Sequence, residues 1–295
     1  MKNIMKIKNA AKVNLVLDVT GRLPNGYHSI ESIFQTIGLY DETEIELTSG
    51  GISVYCSVPE QFAENDAIPC DERNIAFKAA KAFFEYTGCS AGCKIRIKKG
   101  IPSQAGLGGG SSDAAAVLYI LNNLTGSEIP NEQLAKIGAG IGADVPFFLI
   151  GGTAYVSGIG EVIAPISDYS GHFLVIAKGS DGVSTAQAYK NIDSLLNPIH
   201  PQTSKAVDAI NSGSNNSFMF FGNLFENAVK LSSIEKIKEI MNGCGALCSV
   251  MSGSGSAVFG LFNSECDTEK CAGILRNEQF FAQECTTVNS SFIEI

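Results

Sequence analysis

The chain has 295 residues, 45% of them hydrophobic and 17% charged, which is enough for one large domain or two with a real core. A formal net charge of -9 argues against a nucleic-acid partner, because a broad nucleic-acid surface needs clustered Lys and Arg. A local basic pocket for an anionic small molecule stays open.

Lys6, Lys8, Lys12 and Asp18 interrupt the apolar residues near the start, so neither an export signal nor a membrane-crossing run is expected. Nine scattered cysteines in a chain of this size read as reduced thiols of a cytoplasmic protein. Cys89 with Cys93, and Cys244 with Cys248, have metal-like spacing. They lack supporting histidines, and buried thiols are the expectation, with no metal held by the protein.

In chain order, Lys12 to Val19, Ile30 to Leu39, Glu44 to Leu47 and Ile52 to Val58 read as strands. Asn74 to Tyr86 is a predicted helix, with Ile75, Ala79, Phe83 and Phe84 on one face and Gly88 as its stop. Lys94 to Lys98 alternates with a period of two, as a half-buried strand does. Ile101 to Gly110 is a turn-forming run, and strong helix formers follow from Ser111. Phe173 to Ala177, Leu247 to Met251, Ala257 to Phe262 and Glu284 to Val288 are further strands. Ile234 to Met241 and Thr268 to Arg276 are further helices. Polar turn residues between Pro165 and Gly171 suggest a boundary, dividing the chain into 1–165 and 166–295.

The stretch Gly106-Leu107-Gly108-Gly109-Gly110-Ser111-Ser112 carries the most information. Glycine adopts positive φ freely, so successive N–H groups turn toward one point. A helix starting just after adds its unpaired N–H groups and the positive end of its dipole. The two serine hydroxyls offer further hydrogen bonds or a contact to Mg²⁺. A flexible loop with an ordinary serine N-cap is the bland alternative, and the strand–loop–helix order favours phosphate binding. The run is neither a Walker A motif, since no Lys follows its last glycine, nor a Rossmann fingerprint, since Ser111 stands at the third glycine.

Residues Ile101-Pro102-Ser103-Gln104-Ala105-Gly106-Leu107-Gly108-Gly109-Gly110-Ser111-Ser112-Asp113-Ala114-Ala115 resemble the phosphate-loop signature of the GHMP family of small-molecule kinases. Four further segments are similar to one branch of that family, which phosphorylates a cytidine diphosphate-linked methylerythritol. They are Ala11-Lys12-Val13-Asn14-Leu15, Gly21-Arg22-Leu23-Pro24-Asn25-Gly26-Tyr27-His28, Gly142-Ala143-Asp144-Val145-Pro146-Phe147-Phe148, and Met251-Ser252-Gly253-Ser254-Gly255-Ser256-Ala257. Asn25 departs from the Asp usual in that branch.

The resemblance implies a two-domain α+β fold with the active site in the cleft between domains, and ATP and Mg²⁺ as cofactors. It implies a monomer or homodimer that needs neither membrane nor nucleic acid. Pro102, Ala105, Gly106, Leu107, Gly108, Gly109, Gly110, Ser111 and Ser112 would bind ATP. Asp144 would take the proton of the substrate hydroxyl and Lys12 would hold and polarise the reacting groups. Without the resemblance, Lys12 reads as a solvated strand lysine and Asp144 as a helix N-cap. Tyr27 and His28 are expected at the nucleobase, with Tyr189 on its other face. Asn14 is expected near the phosphates or erythritol, and Gly253, Ser254 and Gly255 beside the substrate. Asp113 reads first as a structural helix-start carboxylate and second as a Mg²⁺ contact. Two readings compete with this one: a GHMP kinase for homoserine, mevalonate or a sugar, and an inactive ligand sensor of the same fold.

Overall fold

The computed structural model describes residues 3–59 and 68–295. Two long antiparallel strands, β1 (Ile4–Arg22) and β2 (His28–Thr48), form its spine. β2 is continuous where two strands were expected, because Asp41, between them in sequence, is buried by an ion pair with Lys99 and so does not break the strand. β3 (Ile52–Ser57) lies parallel to β4 (Gly92–Lys98), which pairs with the far half of β2. β5 (Thr153–Ser157) pairs with the near half of β2 and with β6 (Val162–Pro165). Two short strands from late in the chain flank β1: β8 (Gly222–Asn223), parallel, and β12 (Phe292–Glu294), antiparallel. A second, antiparallel sheet has the order β11 (Phe281–Thr286), β7 (Phe173–Lys178), β10 (Val258–Phe262), β9 (Cys248–Met251). β11 starts three residues before the expected Glu284, since Ala282 turns into the core and Val288 bonds instead to Thr36.

Helices cover the first sheet. In α1 (Ile75–Thr87) the Asn74 side chain accepts from the Ala76 N–H, and Gly88 ends the helix in the left-handed region at φ 66°. The helix α2 (Gly109–Thr125), buried without a break from Ser112 to Leu118, begins at Gly109, two residues before the expected Ser111. Gly108, at φ 71°, takes the N-cap position, which the bland alternative gave to a serine. α3 (Asn131–Ala139) and α4 (Val145–Ile150) follow, and Phe147 and Phe148 of α4 are buried. α5 (Thr185–Asp193), α6 (Thr203–Asn211), α7 (Ser232–Gly243) and α8 (Glu265–Asn277) accompany the second sheet.

β1 is buried on both faces from Ala10 to Leu17. Ile7 joins the core under α1 and α2, Val13 and Leu15 a core shared with the second sheet, and Leu17 and Val19 a third core with α7 and α8. A lysine in such a strand lies indoors whatever its sequence neighbours suggest. Among the described residues, no helix is long and apolar enough to cross a membrane.

Candidate active site

Register shifts between Ala10 and Ala11 and between Asn14 and Val16 interrupt β1 on either side of Lys12 and Asn14. Such irregularities re-aim side chains. Lys12 is only 3% exposed, which removes its reading as a solvated strand lysine. Its Nζ lies over the Phe34 ring, 4.4 Å from the centroid, donates to Asn14 Oδ1 at 2.6 Å and stands 3.7 Å from Asp144 Oδ2. Burial pushes the Lys12 ammonium below the ordinary lysine range, with the Asp144 carboxylate pulling the other way.

Asp144 occupies the N-cap position of α4, but its side chain makes no cap bond. The carboxylate instead faces the lysine. Asn14 is fixed at both ends of its amide: Oδ1 also accepts from Gly253 N–H at 2.9 Å, and Nδ2 donates one of its two hydrogens to Ser32 Oγ at 2.9 Å.

The glycine loop runs between β4 and α2, with Gln104, Gly106 and Gly108 at positive φ. A Cβ on Gly106 would lie 2.1 Å from the Ser252 carbonyl oxygen, so only glycine permits this loop to lie against the late glycine turn. The Ser252 hydroxyl donates to Gly106 O at 2.9 Å across the same contact. Ala105 and Leu107 anchor the loop inward: Ala105 O accepts from Ala257 N–H and Leu107 O accepts from Lys12 N–H. No side chain caps α2, so the first-turn N–H groups of Gly109, Gly110 and Ser111 have no intrahelical acceptor.

Ser112 differs from expectation. Its hydroxyl is fully buried and donates to Ala10 O at 2.7 Å, and its N–H donates to Gly108 O. It anchors the helix to β1, leaving Ser111 as the hydroxyl toward the loop's outer side. Asp113 is likewise spent, accepting from Asn9 and from Lys99, which excludes it as an open metal contact.

Two neighbouring cavities share the walls Gly106 and Gly108. One, of about 460 Å³, is lined by residues 101–111 together with Asn74, Ile75 and Lys99. The other, of about 280 Å³, is lined by Lys12, Asn14, Asp144, Tyr189, Gly253 and Ser254 among others. Pro102 lines the first. Gly255 lines neither; a Cβ there would meet Met251 Sδ at 2.9 Å, so its place is under the late turn.

Tyr189 stacks on His28 with ring centroids 4.6 Å apart, rather than facing Tyr27 across a gap. Tyr27 is 61% exposed on the β1–β2 loop. His28 Nε2 is 2.7 Å from Asp193 Oδ1, and its partnership pulls the Asp193 carboxyl below the ordinary carboxylate range. The Asn25 side chain accepts from Tyr27 N–H at 3.1 Å, a turn bond that Asn makes as well as the usual Asp.

Three participants escaped the sequence. Ser252 lies inside the segment Met251–Ala257, and its hydroxyl was the available signal. Phe34 and Asp193 carried none, since only the β1–β2 register and the position of α5 bring them to the site.

Oxygen donors suit Mg²⁺. Ser111 Oγ would be 3.7 Å from a Cβ on Gly142, so the hydroxyl lies beside the segment that carries Asp144. No group of three or more His, Cys, Asp or Glu among the described residues is arranged to hold a metal.

Models of the GHMP kinases N terminal domain and the GHMP kinases C terminal region match residues 74–152 and 205–280. A Clostridium botulinum protein named 4-diphosphocytidyl-2-C-methyl-D-erythritol kinase is 42% identical over 273 residues, spanning 90% of this chain and 94% of the relative. A crystal structure of 4-(cytidine 5'-diphospho)-2C-methyl-D-erythritol kinase superposes with a TM-score of 0.80 at 30% identity, over 96% of this chain and 99% of the other. The homoserine kinase of Cytophaga hutchinsonii shares the fold, with a TM-score of 0.77 at 18% identity, covering 100% of this chain and 98% of the other. A phosphate-loop cradle set beside a buried lysine–carboxylate pair agrees with these likenesses, and the chain belongs to the GHMP kinases, as a two-domain α+β enzyme that uses ATP.

Proposed function

We propose that this kinase transfers the γ-phosphoryl group of ATP to the 2-hydroxyl of 4-diphosphocytidyl-2-C-methyl-D-erythritol, in the non-mevalonate route to isoprenoid precursors. The observation that carries the reading is the Lys12–Asp144 pair, 3.7 Å apart on the wall of a cavity that adjoins the glycine loop. Two relatives with that substrate in their names support the choice of alcohol.

In this mechanism ATP lies along residues 101–111, its phosphates on the N–H groups of Gly109, Gly110 and Ser111 and on the dipole of α2. The Asp144 carboxylate accepts the hydroxyl proton as the oxygen attacks phosphorus. Lys12, held by Asn14 and Phe34, supplies positive charge where negative charge develops. Mg²⁺ would be held by the ATP phosphates with the Ser111 hydroxyl as the side-chain oxygen, and would neutralise phosphate charge. Tyr27, His28 and Tyr189 take the cytosine end, Tyr27 closing from the exposed loop, and Asn14, Gly253 and Ser254 contact the middle of the substrate. Gly255 shapes the turn that presents Gly253. The ATP cradle belongs to an N-terminal unit of residues 1–165 and the late turn to a C-terminal unit, 166–295. All nine cysteines are free thiols, consistent with a cytoplasmic site of action.

A coupled ADP-release assay with Mg·ATP tests this, comparing the cytidine substrate with homoserine and mevalonate. Turnover on the cytidine substrate alone is expected. Turnover on another alcohol instead would discard the proposed substrate, and silence on all three would favour a ligand sensor. Replacing Asp144 by Asn is expected to lower kcat by about two to four orders of magnitude, the span for losing a general base. Wild-type turnover in that variant would remove Asp144 from the mechanism.

A further inference from the structure

Behind the glycine loop lies a cluster of charge with almost no access to water. Lys99, at the end of β4, is 5% exposed, Asp41 of β2 and Asn9 of β1 are 0% exposed, and Asp113 of α2 is 5% exposed. Lys99 Nζ donates to Asp41 Oδ2 and, at 2.6 Å, to Asp113 Oδ2. The other oxygen of Asp41 accepts from the N–H groups of Gly100 and Ile101, at 2.6 and 2.8 Å. The other oxygen of Asp113 accepts from Asn9 Nδ2 at 3.0 Å, and Asn9 Oδ1 accepts from Thr43 at 2.8 Å. Asn9 and Asp41 are direct cross-strand partners, so the whole cluster is seated on one rung of the β1–β2 ladder.

Between them the members hold both ends of the same loop. Asp41 fixes the entrance, Gly100 and Ile101. Asp113 and Asn9 fix the exit, where Asn9 Nδ2 also reaches Ser112 Oγ at 3.1 Å. Lys99 joins the two, and a Cβ on Gly109 would come within 3.5 Å of its Nζ, so the ammonium lies directly under the loop. Burial opposes the Lys99 charge, but the carboxylates of Asp113 and Asp41 outweigh it and raise the ammonium above its ordinary range. A cation shared by two carboxylates has its charge already countered, unlike a lysine offered to phosphate.

Stability alone does not account for such a cluster, because apolar residues of similar volume often serve a core as well or better. What a saturated polar network adds is a single permitted geometry. We propose that Lys99, Asp41, Asp113 and Asn9 form a buried brace that fixes the distance between the two ends of the glycine loop, and so act as positioning residues for ATP. The proposal rests on reading residues 101–112 as the phosphate loop.

The test is calorimetric titration of the full chain with Mg·ATP, alongside separate KM values for ATP and for 4-diphosphocytidyl-2-C-methyl-D-erythritol. Folding is checked by circular dichroism. Asp113→Ala is expected to weaken ATP binding by about tenfold or more, the scale of one lost charged hydrogen bond, with the KM of the alcohol within about twofold of wild type. Asp113→Asn keeps the volume and one acceptor oxygen, and is expected to recover most of the affinity. An unchanged ATP affinity in folded Asp113→Ala overturns the brace, and so does a parallel rise in both KM values. Should Asp113→Ala fail to fold, Asn9→Ala, which removes the bonds to Ser112 and Asp113 at the same end of the loop, decides in its place: a weakened ATP affinity with the KM of the alcohol within about twofold of wild type supports the brace, and an unchanged ATP affinity overturns it. Gly110→Asp separates the underlying reading. Its side chain has open space, with only Ile75 at 3.5 Å, and a carboxylate suits a helix start but repels phosphate. Loss of ATP binding in Gly110→Asp with none in Asp113→Ala overturns the brace alone. No loss in Gly110→Asp overturns the loop reading and the brace together.

Discussion

Lys12 is an ammonium in a place that suits a methyl group. It keeps its charge through Asn14 on one side, the Phe34 ring beneath and Asp144 in front, and burial still pulls it below the ordinary lysine range. A lysine with a lowered pKa loses its proton earlier as pH rises. The alkaline limb of the kcat/KM profile is therefore expected below pH 10.5, the reference lysine value. Asp144 is the group that opposes the shift, so on the residual activity of Asp144→Asn the limb moves lower still. A limb at or above the reference value, or one that moves upward in the variant, would remove Lys12 from the titrating step. Both residues stood out only through the family resemblance of the short motifs that hold them; by themselves they read as a solvated strand lysine and a helix cap. Ser112 was legible as a residue and illegible in its direction: nothing in Gly-Gly-Gly-Ser-Ser says which hydroxyl turns inward to Ala10 and which stays outside. The His28–Tyr189 stack depends on how α5 docks, which no local pattern encodes.

At the scale of elements, the loop and the helix after it are one device. The strand–loop–helix order was legible in the sequence, with the helix expected to start at Ser111 because the run of strong helix formers follows from there. In the structure glycine takes the N-cap position, since the chain must enter α2 at φ 71° with Phe148 and Lys12 pressed close. A Cβ on Gly108 would stand 2.8 Å from Phe148 and 3.1 Å from Lys12 Cγ. Gly108→Ala is therefore expected to cost about 1–3 kcal/mol of stability, the scale of a strained backbone site, and to lower kcat through the displaced lysine. Urea unfolding with steady-state kinetics checks both. Native stability together with native kcat would mean that the loop adapts and that the left-handed turn is not needed. The late turn shows the same logic in reverse. Gly253 bears against Gly106, so the two glycine motifs, far apart in sequence, are the two sides of one contact.

On the scale of the whole molecule, the two family regions meet on one pair of strands. β1 and β2 supply Ile7, Phe34 and Ile45 to the first core, Val13, Leu15, Ile33 and Ile37 to the second, and Leu17, Val19 and Ile30 to the third. The last strand, β12, returns from the far end of the chain to pair with β1, and its Phe292 stacks on Tyr119 of α2 at 4.8 Å. Turn residues near 165–171 marked where the chain changes sheets, but strand pairing across hundreds of residues leaves no trace in local composition. Chains of this size with two domains often unfold in steps. Here no core can be lost without exposing a face of β1 or β2 that another core also uses. The expectation is a single cooperative transition in urea, with far-ultraviolet circular dichroism, tyrosine fluorescence and loss of kinase activity falling together. The chain has no tryptophan, so its eight tyrosines report on both sheets at once. Transitions that separate, with activity lost before secondary structure, would show that the late turn detaches from the glycine loop while β1 and β2 still hold, and that the shared strands do not bind the two regions into one unit.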